Sequence, residues 1–298
     1  MFDKSFKITW VDIAVSLLVL TAIYVFFSRM GSVLDYGWQW EKIPGYFFFW
    51  DSESQGWETN TLLSGFLTTV KLSAWAMVIG FVLGTVSGIL GAGKGFTGRV
   101  ISRFYVETVR NIPSLVLVIL FYFFVSSQFL DYLALDQWLR GQGEITRACV
   151  EFFLADSSHI NAFVSALVAL GLYEGAYISE IVRGGINAIP QGQWEAASSI
   201  GLSSPKTFLL VILPQAFQKT AFPLAGQFIS TIKDSAIVSV ISIQELTFQG
   251  MELMSATFLT FEIWMTITIL YFILTFSLSR LIGIFERRAA AKISSMAK

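Results

Sequence analysis

Six stretches of this chain, about 11–27, 61–90, 113–127, 160–182, 207–229 and 257–284, approach or exceed the roughly 20 apolar residues that a helix needs to cross a hydrocarbon core. Membrane-barrel strands would instead alternate over about ten residues, and that alternation is missing. With 54% hydrophobic and 14% charged residues among 298, the chain suits a lipid bilayer better than an ordinary soluble domain. The expected fold is all-α: a polytopic helical membrane protein of about six transmembrane helices, a five-helix core preceded by an amino-terminal anchor helix.

Lys and Arg give the orientation. With the amino terminus inside, the cytoplasmic connections hold Lys94, Arg99, Arg103, Arg110, Arg183 and Lys206, and the tail adds Arg280, Arg287, Arg288, Lys292 and Lys298. The other side receives only Arg29, Lys42, Arg140, Arg147 and Lys233. This is the positive-inside asymmetry, and it predicts that both termini are cytoplasmic. The first apolar run, preceded by Lys4 and Lys7, reads as a retained anchor because no small-x-small cleavage site follows it. Residues 31–58 then hold Trp38, Trp40, Trp50 and Trp57 among five acidic side chains, the composition of a loop on the membrane surface. Gly80, Gly84 and Gly88 repeat every four residues along one helix face, which permits close approach of a second helix.

One segment has no place in a lipid-facing span. Residues 191–214, QGQWEAASSIGLSSPKTFLLVILP, are small and polar-edged between two apolar runs. Trp194, Ala197 and Gly201 recur at helical spacing, widened by Ala196 and Ile200, so a short amphipathic helix is predicted. Ala196, Ala197 and Gly201 keep its surface low for docking, and Glu195 supplies a fixed charge. The order Glu195-Ala196-Ala197, Gly201, Val211, Leu213 and Pro214 resembles the EAA loop of ABC importer permeases, with Val211 where that family usually has Ile. Gly175-Ala176-Tyr177, Glu180, Arg183-Gly184-Gly185, Ile189-Pro190, Gln193 and Pro214-Gln215-Ala216 are similar to its polar amino-acid branch. So are Val106-Glu107, Arg110-Asn111-Ile112-Pro113, Lys233-Asp234-Ser235 and Val238-Ser239-Val240-Ile241.

The resemblance, over roughly 61–283, implies a multi-pass permease subunit of the bacterial plasma (inner) membrane. It also implies a second permease chain, separate ATP-binding subunits that hold ATP and Mg, an extracytoplasmic solute-binding protein, and no cofactor on this chain. The expected organisation is 1–60 (anchor and extracytoplasmic aromatic segment), 61–284 (permease domain with the ATPase-coupling loop 190–206) and 285–298 (basic tail). Lys233, Asp234 and Ser235 are implied in an outer gate or a seat for the binding protein. Capping of the next short helix by Asp234 or Ser235 is an equal reading.

Charged groups inside a span cost about 2.5–3.5 kcal/mol on insertion scales, so each asks for a reason. Glu174, Tyr177 and Glu180 step by three and share one helix face. Glu180 has Arg183 three residues on, and a local pair is expected. Glu107 and Arg110 are spaced for a local pair or a gating role. Glu174 has no local cation: it meets the cationic end of a cargo or pairs with Lys71, with Lys219 as a further candidate. Glu174, Tyr177, Glu180 and Lys71 are therefore the predicted substrate pathway.

Nothing supports an enzyme. Gly91-Ala92-Gly93-Lys94-Gly95 lacks the spacing of a phosphate loop, Gly-x-Ser-x-Gly is not found, and no catalytic residue is assigned. Cys149 and His159 are each alone of their kind, so no metal site is expected. A net charge of −1 advertises no nucleic-acid partner. A secondary transporter or channel using Glu174 as an ion site is the rival reading, but it leaves the docking segment without a purpose; an importer of methionine or another small solute is the third.

Overall fold

The computed structural model describes residues 9–33, 36–52, 55–126, 128 and 134–296; the charges noted at Lys4, Lys7, Asp35, Glu53, Asp131 and Lys298 lie outside them. The chain divides into two compact units, Met1–Lys42 and Ile43–Lys298. In the first, helix α1 (Trp10–Val33) begins where the Thr9 hydroxyl and N–H both donate to Asp12 at 2.7 Å, a capping box. Its apolar side chains stand exposed, Leu18 at 71% and Leu20 at 62%, as a helix that is apolar all round requires of a lipid environment.

The second unit opens with a correction. The aromatic segment is a 3₁₀ turn (Trp40–Tyr46) and an antiparallel hairpin, β1 (Phe48–Asp51) with β2 (Gly56–Thr59), rather than a loop. Trp50 and Trp57 face each other across the ladder with centroids 5.7 Å apart, a cross-strand pair of the kind that stabilises two strands. Helices α2 (Thr61–Ala92), α3 (Phe96–Asn111), α4 (Ser114–Leu120), α5 (Leu135–Arg140), α6 (Glu144–Phe153) and α7 (Ile160–Asn187) follow. After them come α8 (Gln191–Ser199), α9 (Ser204–Thr207), α10 (Leu213–Asp234), α11 (Leu246–Thr257) and α12 (Thr260–Met296).

Among the described residues four helices, Thr61–Ala92, Ile160–Asn187, Ser204–Ile241 and Thr260–Arg288, are long and apolar enough to cross a bilayer; the pair Phe96–Asn111 and Ser114–Phe124, bent by 108°, makes a fifth if it is one span. The chain is a polytopic helical membrane protein. Pro214 and Pro223 do not break the fifth apolar run. Pro214 falls in the first turn of α10, where its missing N–H costs least. A π turn over Phe208–Ile212 precedes it, in which the Leu213 N–H reaches Phe208 O.

The α2–α7 contact sets the position of everything around it. A Cβ on Gly84 would lie 2.6 Å from Ile178 Cβ and 2.7 Å from Gly175 O; one on Gly88 would lie 2.7 Å from Ser179 O; one on Gly80 would lie 3.0 Å from Glu174 Cβ. Gly171 and Gly175 thin the opposite helix in the same way, against Ile79 and Tyr105. Lipid gives helices no hydrophobic drive to associate, so contact must come from dispersion and hydrogen bonds at close range. The glycines supply the range. Ser179 Oγ donates to Ser87 Oγ at 2.9 Å and Ser102 Oγ to Ser87 O at 2.7 Å, tying α3 to the same seam, while Tyr105 OH donates to Leu172 O at 2.6 Å.

Helix α8 forms where the docking helix was predicted, with one change. Trp194 and Ala197 turn inward, Trp194 against Phe208 (6.4 Å between centroids) and Ala197 only 4% exposed, while Ile200 is 78% exposed. Gly201 is not on the stripe: it ends the helix at φ +82°, with Leu202 N–H bonded to Ala197 O and Gly201 N–H to Ser198 O. These two bonds make a Schellman stop, which needs a left-handed residue.

Two outcomes test this account. Gly84→Ala should lower stability by about 1–3 kcal/mol through overpacking in thermal unfolding of the detergent-purified chain, whereas Gly192→Ala, with nothing within 4 Å of the added Cβ, should not. Gly201→Ala should cost about 1–2 kcal/mol in left-handed strain and speed hydrogen exchange across 191–199, and Gly201→Asn should cost less. Equal effects of Ala and Asn would show that the turn does not depend on its φ.

Candidate functional site

Glu174 sits midway along α7 and is fully buried. Gln227 Nε2, on α10, donates to its Oε2 at 2.8 Å; its Oε1 meets no donor. Thr231 and the carboxyl of Asp234, one and two turns further along α10, lie beside the same carboxylate. A buried carboxylate and a half-buried one therefore stand together with one amide donor between α7 and α10, and a carboxylate placed as Glu174 is needs a proton or a cation. Gln227, Thr231 and Asp234 were not foreseen as its neighbours.

The Glu174–Lys71 pair is not formed. Gly80, Gly84 and Gly88 meet Glu174, Ile178 and Val182 in turn, so α2 and α7 run parallel in constant register. Lys71 lies nine residues above Gly80, roughly 13 Å of helical rise, and its Nζ donates to Glu151 O at 2.9 Å at the other end of the seam. It lines a cleft of about 280 Å³ with Glu151, Asp156, His159 and Gln244. There the Ser158 hydroxyl and N–H hold the Asp156 carboxyl below its usual range. Lys219 is equally unavailable, donating to Ala188 O at 2.7 Å.

One helical turn below Glu174, polar contacts run along α7 in a chain. Tyr173 OH donates to Tyr177 OH at 3.2 Å, the Arg110 guanidinium lies 5.2 Å from the Tyr177 ring centroid, and Arg110 reaches Glu180 at 3.7 Å. Arg183 holds both oxygens of Glu180, at 2.9 and 2.7 Å, so the expected local pair is present and is bidentate. The expected Glu107–Arg110 pair is not: Glu107 pairs with Arg103, four residues back, at 3.0 Å, and Arg110 crosses from α3 to α7 instead.

The capping reading of Asp234 and Ser235 also fails. Asp234 stands at the N-cap of the 3₁₀ turn Ser235–Ile241 without a side-chain cap bond, and Ser235 Oγ donates back to Ile232 O at 2.8 Å. Lys233 is exposed. The cap that does form belongs to Glu245, which no sequence signal singled out: fully buried, it accepts from Phe248 N at 2.9 Å, Tyr271 OH at 2.8 Å and Thr69 Oγ1 at 3.2 Å. Of the residues predicted for coupling, Glu195 and Ala196 are exposed on α8, and Leu213 and Pro214 stand at the start of α10. Gln215 Nε2 donates to Gln193 Oε1 at 3.1 Å, fastening α8 to α10.

Comparison with known proteins agrees along most of the chain. Residues 80–291 match the family described as binding-protein-dependent transport system inner membrane component. The glutamine transport system permease protein GlnP of Escherichia coli (strain K12) is 32% identical over 222 residues, 73% of this chain and 90% of that protein. The L-cystine transport system permease protein TcyB of Bacillus subtilis (strain 168) is 31% identical over 241 residues, 80% and 90% of the two chains. Among solved structures, an amino acid ABC transporter crystallised with histidines matches with TM-score 0.61 at 32% identity, over 76% of this chain and 94% of that one. The inward-facing MetNI methionine ABC transporter matches with TM-score 0.52 at 17% identity, over 75% and 95%, a likeness of fold alone. Between the glycine seam, the short helix at 191–199 and relatives this similar over this much of their length, the chain belongs to the binding-protein-dependent transport system inner membrane components.

Proposed function

We propose that this chain is the permease subunit of an ATP-driven (ABC) importer that moves a polar amino acid delivered by an extracytoplasmic binding protein. The observation that carries the reading is the family match over residues 80–291, which contains both the exposed knob of α8 and the buried Glu174 position. Six spans, counting α1 and the apolar segment that begins at Ser114 beyond the α3 bend, leave both termini in the cytoplasm. Residues 1–60 serve as anchor and outer segment, 61–284 as the transport domain and 285–298 as a basic tail. Two permease chains enclose the path. Separate ATPase subunits bind ATP and Mg, and this chain performs no hydrolysis and holds no cofactor.

Glu195, Ala196 and Ile200 form the surface that an ATPase grips on the loop 190–206. Ala197, turned inward, and Gly201, in its left-handed turn, shape that surface without lining it. Movement of α8 passes to α7 through residues 187–190 and to α10 through the Gln193–Gln215 bond, Leu213 and Pro214. Closure of the ATPases on ATP favours one arrangement of these helices and hydrolysis returns the other, a shift of population driven by differential contact. The cargo's ammonium group meets Glu174 and Asp234, where Oε1 of Glu174 has an unused lone pair. Tyr177 lines the path towards the cytoplasm, Glu180 stands beside it held by Arg183 and Arg110, and Lys71 and Lys233 stand at its outer side.

Two measurements test this. Glu174→Gln removes the charge and keeps the shape; loss of a charge-assisted hydrogen bond should weaken cargo affinity about 10- to 100-fold in vesicle uptake, and unchanged affinity would remove Glu174 from the path. Ala196→Arg places a bulky charge on an exposed helical position. The variant should stay in the membrane, lose the ATPase subunits that co-purify with the parent chain in mild detergent, and fall at least about tenfold in uptake; full uptake would place the docking surface elsewhere.

A further inference from the structure

We propose that α3 lies in the membrane surface and that the arginine-lined cleft beside it binds the phosphate group of an anionic phospholipid. The helix has three sectors. Ser102, Val106 and Val109 are buried at 4%, 7% and 8% and form the side packed on the seam. Phe96, Val100 and Phe104 repeat every four residues on another side, exposed at 82%, 48% and 72%. Arg99 and Arg103 stand on the boundary between these sectors, both exposed. An apolar row bordered by cations is the pattern of a helix lying in the lipid interface. The 108° bend to the apolar segment Ser114–Phe124 gives the matching geometry: where that segment runs along the membrane normal, α3 lies close to the membrane plane.

The cleft, about 460 Å³, is lined by Arg99, Arg103, Arg110 and Arg183 with Glu107 and Glu180. Four guanidinium groups thus face two carboxylates. Arg103 neutralises Glu107 at 3.0 Å, Arg183 and Arg110 share Glu180 at 2.7 and 3.7 Å, and Arg99 Nη2 donates to Gly93 O at 3.1 Å. The excess is two positive charges, carried by forks that match the oxygens of a phosphate. A soluble anion would gain nothing from the row of Phe96, Val100 and Phe104; a phosphodiester with acyl chains uses both halves of the site. By charge asymmetry this is the cytoplasmic side, where the leaflet carries anionic lipid.

The inference does not depend on which cargo is carried. The full chain in non-ionic detergent is titrated with short-chain phosphatidylglycerol and phosphatidylcholine, and bound lipid is read by native mass spectrometry. The parent chain should retain phosphatidylglycerol in preference, and affinity should fall about fivefold in R99Q and about 30-fold in R99Q/R103Q. Equal retention of the two lipids, or a double variant that binds as the parent does, overturns the proposal. Displacement of the lipid by equimolar inorganic phosphate makes it a free-anion site and also overturns it. So does a disulfide between two copies of Phe104→Cys formed in membranes, since protein would then cover the apolar row. The lipid comparison and the phosphate competition use the parent chain, so they decide the matter even if an arginine variant fails to fold.

Discussion

Two helices meeting with glycine opposite each bulky side chain of the contact is the constraint on which this molecule rests. Where lipid is as apolar as any leucine, a buried interface gains little from excluding water, and α2 and α7 hold together because five glycines let backbone and methyl groups of each come within van der Waals range of the other. The contact also fixes a depth scale. Since the two helices run parallel in register, every residue of α7 has an assigned level against α2, and Glu174 stands level with Gly80. The hydroxyls of Ser87, Ser102 and Ser179 then fix α3 at the lower end of the seam, and the 3₁₀ turn and α11 pack about its upper end through Leu72, Val238, Leu62 and Leu246.

Two fully buried carboxylates show how the fold separates support from function. Glu245 accepts three hydrogen bonds that start α11 and join it to α2 and α12, so its charge is spread over fixed donors and nothing is left to bind. Glu174 receives one donor and faces a second acid. A site that is incomplete in this way is costly to keep unless something completes it. Such a difference is invisible in composition, since each is a single glutamate whose side-chain donors come from distant parts of the chain.

The sequence was most legible where the signal is periodic and local. Span length and apolarity located α2, α7, α10 and α12, the repeat of Gly80, Gly84 and Gly88 marked the seam, and the small residues of 191–199 marked a short helix between two spans. Pairings between helices were not legible, because complementary charge says nothing about depth: Lys71 and Glu174 attract on paper and are nine residues apart in register. Glu107 had cations at both four residues before and three after it, and the one on its own exposed side prevailed. Gly201 fell on the helical stripe by arithmetic, but the helix stops at Ser199, and beyond a stop the 100° step no longer applies.

The seam also has a genetic consequence. Every single-base change at the first or second position of a glycine codon brings in a side chain or a stop, so at Gly84 and Gly88, where even a Cβ would press on a carbonyl oxygen at 2.7 Å, only third-position changes are silent to the structure. Inheritance has almost no neutral ground there: along this strip of two helices each missense step is a trial of whether the membrane fold survives.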